Sequence, residues 1–233
     1  MELPMRINKY LSQNGYASRR RADELIEEGR VFINGKKAEL GSKVLETDEV
    51  KVDGIEKEEK TYIAYFKPTG IVTVGAQEDE REIKDVLNVS DKIFPVGRLD
   101  KASHGLIILT NDGRVTQRLL HPDKQHEKEY SVIVNQKITH TFLTQMSLGV
   151  DIKGSRTKPT KVRRTSNTSF DIVLTEGKNR QIRRMCTALG YEVRDLQRFR
   201  VGNIHLGKLK AGSYRIIKGQ ELKDFLKSLD LDK

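Results

Sequence analysis

Residues 97–113 read Gly-Arg-Leu-Asp-Lys-Ala-Ser-His-Gly-Leu-Ile-Ile-Leu-Thr-Asn-Asp-Gly, and no other stretch of the chain restricts its fold as tightly. The unbroken apolar run 106–109 is a strand, far too short to span a membrane. Asn111-Asp112-Gly113 then turns the chain. Ahead of the strand a single carboxylate, Asp100, sits between Gly97 and Gly105. Glycine at those positions lets the backbone bend and a ligand come close. Strand residues on both sides would hold the loop rigid, as a reactive group requires.

Further strands are expected at 62–66, 71–74, 94–96, 128–134, 160–164, 170–174, 193–199 and 214–217. The first two flank the turn Lys67-Pro68-Thr69-Gly70. Helices are expected at 114–120, 141–148, 180–189 and 221–229. Many strands separated by turns, with few helices, give an α+β domain over residues 61–233: a mixed, mainly antiparallel sheet flanked by helices.

Residues 1–60 have a different texture. Ile7, Tyr10 and Leu11 are spaced as on a helix that Gly15 ends. Ser18 caps a second helix carrying Ala22, Leu25 and Ile26, and Gly29 stops it. Val31-Phe32-Ile33 is a strand, and Asn34-Gly35 is a hairpin turn. The polar, charged segment 53–60 reads as a linker. The pattern Arg6-Ile7-Asn8-Lys9-Tyr10-Leu11, then Ala17-Ser18-Arg19-Arg20, then Leu25-Ile26, Gly29, Val31 and Asn34-Gly35 resembles an S4 RNA-binding domain.

The 233 residues carry 43 Lys+Arg against 33 Asp+Glu, a formal charge of +10, which suits a polyanionic partner. The first 60 residues hold 12 basic and 13 acidic side chains, so the surplus lies in the second domain. Even so, Arg6, Lys9, Arg19, Arg20 and Arg21 precede the acids that cluster later, and one face of the first domain can be basic. Lys153, Arg156, Lys158, Lys161, Arg163 and Arg164 form an acid-free run that could face Arg19 and Arg20 across a phosphate groove. A merely solvated basic face competes with that reading. Cys186 has no partner for a disulfide, and the N-terminal residues show no apolar signal core, which together suggest a soluble cytoplasmic protein. The spacing of His104, His121, His126, His140 and His205 fits no zinc site. Glu176-Gly177-Lys178-Asn179 lacks the first glycine and the hydroxyl residue of a phosphate loop.

The string 97–113 resembles the catalytic motif of bacterial ribosomal RNA pseudouridine synthases of the RsuA type, and Lys67-Pro68-x-Gly70, Lys128-x-Tyr130 and Gln181-Ile182-Arg183 match others of that family in order. The run 177–185, followed by Cys186 and Gly190-Tyr191-Glu192-Val193, looks most like the large-subunit branch called RluF. The resemblance covers nearly the whole chain. It implies an S4 domain joined to a synthase domain that turns a uridine of ribosomal RNA into its C-glycoside isomer. The implied target is 23S RNA near the peptidyl-transferase region, met in the ribosome or an assembly intermediate. Some relatives accept a tRNA arm or act on 16S RNA. Exchanging an N-glycosidic for a C-glycosidic bond is an isomerisation that calls for no cofactor, metal or ATP, and a monomer suffices.

In this reading Asp100 is the indispensable carboxylate. An aspartate held out of bulk water needs a cation. In a helix turning about 100° per residue, Arg183 falls at the edge of the apolar stripe of Ile182, Met185, Cys186 and Leu189, so it is the arginine best placed to be half buried. The family motif also places the aspartate's partner there. Arg183 is therefore assigned to Asp100, and Arg180 and Arg184 to phosphates. Tyr130 would stack on the flipped base. Leu196, in Val193-x-x-Leu196-x-Arg198, would supply an apolar pocket wall, with Arg98 beside it. Arg6, Lys9, Ser18, Arg19, Arg20, Asn34, Lys158, Lys161 and Arg163 are the expected RNA contacts. The rival reading is a non-catalytic S4-type RNA-binding assembly or rescue factor. It accounts for the first domain and the charge but not for the 97–113 string, the Lys128-x-Tyr130 strand and the Gln181-Ile182-Arg183 helix together.

Overall fold

The computed structural model describes residues 4–56, 59–90, 92–152 and 154–232. The first domain comprises β1 (Met5–Arg6), α1 (Ile7–Gln13), α2 (Arg19–Glu27), β2 (Val31–Ile33), β3 (Lys36–Lys37), β4 (Lys43–Val44) and β5 (Val50–Val52). Ser18 caps α2, its hydroxyl accepting from the Arg21 N–H at 3.3 Å. Asn34 and Gly35 both have positive φ, 51° and 77°, the turn that joins β2 to β3. Ile7, Leu11, Ala22, Leu25, Val31 and Val44 form a core of this domain's own.

The second domain runs through β6 (Tyr62–Lys67), α3 (Ile83–Val86), β7 (Phe94–Val96), β8 (His104–Thr110), α4 (Gly113–Leu119), β9 (Lys128–Val134), α5 (His140–Leu148), β10 (Asp151–Ile152) and β11 (Ser155–Arg156). It continues with β12 (Val162–Arg164), β13 (Ser169–Leu174), α6 (Gln181–Ala188), β14 (Val193–Val201), β15 (Ile204–His205), β16 (Tyr214–Ile216) and α7 (Gly219–Ser228). Nine strands form one sheet, ordered β12-β13-β9-β14-β8-β6-β16, with β15 on β14 and β7 on β8. Every pairing is antiparallel except β14 with β8, which run parallel over two residues, Gln197↔His104 and Arg198↔Gly105. Beyond that seam β7 takes the same edge of β8, from Val96↔Ile108 to Phe94↔Thr110. Beside β14, helices α5 and α6 pack Phe142, Met146, Ile182 and Met185 on Val132, Phe170, Ile172 and Leu196. Among the described residues no helix is long and apolar enough to cross a membrane.

Two local expectations are corrected. Residues 71–74 make no strand, only a single bridge from Val72 to Glu82, because Thr73 is drawn instead to the loop before Asp100. The linker is shorter than 53–60: Asp53 bonds back to Arg30, while Asn111 accepts from Thr61 N–H and donates to the Glu59 carbonyl. Lys57 and Glu58 of that segment, like Lys153 of the basic run, lie outside the described residues. Asp112 does more than turn the chain. It is fully buried, caps α4, and takes hydrogen bonds from Tyr62 and Arg114 at 2.9 and 2.7 Å. Burial and the Asp112 charge push the Tyr62 phenol well above its ordinary range.

Candidate active site

Asp100 stands on the loop that feeds β8, and neighbours from distant parts of the chain fix that loop. The Thr73 hydroxyl donates to the Leu99 carbonyl at 2.7 Å and accepts from the Leu99 N–H at 3.0 Å. The Gly70 N–H donates to the Lys101 carbonyl, and Ser103 N–H closes a turn onto the Asp100 carbonyl. The Lys67-Pro68-Thr69-Gly70 turn is thus a support for the carboxylate. The Asp100 side chain itself is 29% exposed, sheltered but open to a ligand.

The arginines fall differently from the helical-wheel expectation. Asp100 Oδ2 lies 3.8 Å from Nη1 of Arg180, the residue assigned to phosphate. Arg183 makes no ion pair with Asp100. Its Nη2 donates to the Ala102 carbonyl at 2.9 Å and to the Ser103 hydroxyl at 3.2 Å, and its Nη1 to the Val193 carbonyl at 3.3 Å. Arg183 holds the loop that carries the carboxylate. The reason is local: Arg180 precedes the first turn of α6, with φ of 51°, so helical spacing does not govern where it points. Burial and the neighbouring Arg180 lower the Arg183 guanidinium from its ordinary range, while Asp100 and Asp195 oppose that shift. Arg184 bonds Asn179.

Across the seam, half-buried Tyr130 on β9 lies opposite Arg198 on β14, and Leu196 lies opposite Val132 on the same face. Leu196 is packed into the core under α6. Arg98 is exposed and bonds none of these residues. Sequence reasoning missed two cations. Lys67 is fully buried, its ammonium donating to the Pro68 and Ile71 carbonyls at 2.8 and 2.7 Å. Burial brings its pKa down to about 8, against the pull of Asp100. Arg198 is 4% exposed. The signal for both was a basic residue inside an apolar strand pattern. Gly105 also differs from expectation: a Cβ there would lie 2.2 Å from the Arg198 carbonyl oxygen, so it is β14, not a ligand, that requires the glycine.

Arg6, Arg19, Arg20, Lys158 and Lys161 are exposed, and Lys9 is partly so. Ser18 and Asn34 are committed to the fold instead. Ser18 spends its hydroxyl on α2, and Asn34 donates to Asp48 and accepts from Glu49 N–H, on the segment that leads into β5. Arg163 pairs with Asp171 at 2.6 Å.

The description "RNA pseudouridylate synthase" matches residues 61–188, and "S4 domain" matches residues 5–50. The chain belongs to the RNA pseudouridylate synthase family. This synthase is 45% identical over 231 residues to the dual-specificity RNA pseudouridine synthase RluF of Escherichia coli (strain K12), covering 97% of this chain and 80% of that one. It is 36% identical over 230 residues to the ribosomal large subunit pseudouridine synthase B of Bacillus subtilis (strain 168), covering 94% of each. Against the crystal structure of a pseudouridylate synthase it gives a TM-score of 0.71 at 27% identity, over 95% of this chain and 99% of that one. Like its relatives the synthase is an isomerase acting on RNA, which argues against a purely binding role for the S4 domain and its basic surface.

Proposed function

We propose that the chain isomerises a uridine of large-subunit ribosomal RNA, and a second RNA such as a tRNA, with Asp100 as the reacting carboxylate. The observation that carries the reading is the Asp100 loop, bound by Thr73 and Arg183 and facing Arg180. A carboxylate so held can bond to the sugar C1′, or take the 2′ proton, as the glycosidic bond breaks. Tyr130 and Leu196 wall the base pocket. The exposed arginines of the first domain and the basic segment 158–164 supply phosphate contacts. The protein works as a monomer in the cytoplasm, on the ribosome or on an assembly intermediate. The targets named for the two relatives, a ribosomal large subunit and a dual specificity, support this substrate choice. Chemical mapping of pseudouridine in 23S RNA and tRNA from a strain lacking the protein tests it. A uridine left unmodified in 23S RNA is expected, and full modification of 23S RNA would contradict the assignment.

The two arginines should separate kinetically. Arg183→Met removes charge-assisted hydrogen bonds each contributing about 1.5–3 kcal/mol, and is expected to lower kcat by roughly a hundredfold or more. Arg180→Met removes an exposed pair at 3.8 Å, an interaction of about 0.2–1 kcal/mol, and is expected to cost only a few fold. Single-turnover rates decide; the reverse order would show that the direct contact, not the loop anchor, matters more.

A further inference from the structure

A buried positive cluster adjoins the carboxylate, and nothing above uses it. Arg198 spends only Nε on protein, donating to the Leu106 carbonyl at 2.7 Å, just where the edge of β8 passes from β14 to β7. Among the described residues Nη1 and Nη2 have no acceptor, and Arg198 forms no ion pair. Neither nitrogen is sealed inside the protein, so both donors remain open to an incoming acceptor. Among the described residues Lys67 reaches only carbonyls, and Lys128 only that of His126 at 3.3 Å. Burial brings both lysines to about 8, and the Arg198 charge acts on each in the same direction. On Lys67 alone the Asp100 charge acts in the opposite direction. Register sets Arg198 opposite Tyr130, and opposed residues share a face with Cβ atoms about 4.5–5.5 Å apart.

We propose that Arg198 is a further catalytic residue, whose free N–H fork receives the negative charge of the detached uracil. The inference rests on the synthase reading above. When the N1–C1′ bond breaks, its electron pair leaves with N1, and the ring carries one negative charge spread over N1, O2 and O4. Water is largely excluded from the Arg198 side chain, so fixed N–H donors aimed at O2 or O4 replace solvation. The ring turns, C5 bonds to C1′, the C5 proton is released to solvent, and N1 takes up a proton from solvent in its place. On the sugar, Asp100 either bonds to C1′ and leaves as C5 attacks, or takes the 2′ proton and returns it. One C–N bond is exchanged for one C–C bond, and nothing is oxidised or reduced. The charge that Arg198 meets exists only after cleavage, so the contact raises kcat and leaves RNA affinity unchanged. A phosphate held by the same fork would instead act on affinity, because it is charged throughout.

The test uses the full chain and one RNA substrate carrying either uridine or 5-fluorouridine at the target. Fluorine withdraws electron density, so the detached base needs less help. Arg198→Met is expected to slow single-turnover consumption of the uridine substrate by about 10²–10³-fold, the usual effect of removing one such donor. Its deficit on 5-fluorouridine should be about tenfold smaller, RNA affinity should match the parent, and Arg198→Lys should recover part of the rate. The ratio of the two substrate rates is taken within one variant, so it does not depend on how much of that variant is folded. An equal deficit on both substrates, total loss on both included, overturns the proposal, as does a fall in affinity in place of rate. A parent protein inactive on the uridine substrate would overturn the synthase reading instead.

Discussion

Asp100→Asn should bind RNA as the parent does and form no pseudouridine. Asparagine keeps the shape and volume of the side chain, and the loop is held by Thr73, Gly70, Ser103 and Arg183 through groups other than the carboxylate. The fold and the docking surface therefore survive. What disappears is the negatively charged carboxylate able to bond to C1′ or to take a proton from C2′. A positioned acid–base group alone contributes about 10²–10⁴-fold, and a covalent role adds to that. Single-turnover pseudouridine formation should fall by at least about 10³-fold, with the dissociation constant for RNA unchanged. A variant within tenfold of the parent would move the reacting group elsewhere.

Gly105→Ala is expected to be the most damaging conservative change in the sheet. Gly105 has φ of 109°, and a Cβ there would sit 2.2 Å from the Arg198 carbonyl oxygen and 2.7 Å from its nitrogen. Both are backbone atoms of β14 and cannot swing aside. The strained φ alone costs about 1–3 kcal/mol for a residue with a side chain. Relief of the overlap requires parting β8 from β14, which are paired over only two residues. A loss of about 4 kcal/mol or more, read as a lower urea midpoint, is expected together with loss of activity. Unchanged stability would mean that the seam is loose, and would undercut the placement of Arg198 against β8.

Where a feature is local, the residues announce it. Ser18 caps α2, Asn34-Gly35 turns the hairpin, and strand β9 falls on 128–134, because caps, turns and apolar alternation act over a few residues. The α+β architecture, with its mainly antiparallel sheet, followed from the same signals. What depends on distant partners was hidden. Nothing near Gly105 announces the parallel approach of β14, a segment more than 90 residues away. Arg180 looks helical by sequence, yet its backbone is left-handed, and that single residue changes which arginine reaches Asp100. Thr73 resembles a strand residue and serves as a loop anchor. Ser18 and Asn34, read as RNA contacts, show the converse: one side chain is taken up by a helix cap and the other by a bond to a distant segment.

The central claim is that Asp100 drives a cofactor-free exchange of the glycosidic bond at uridine. Release of tritium from RNA labelled at uridine C5 tests it most directly, because C5 loses its proton only when it becomes the new point of attachment. The purified chain, given RNA and no metal, nucleotide or redox carrier, should release tritium in step with pseudouridine formation, and Asp100→Asn should release none. RNA bound by the parent chain with no tritium released would contradict the account.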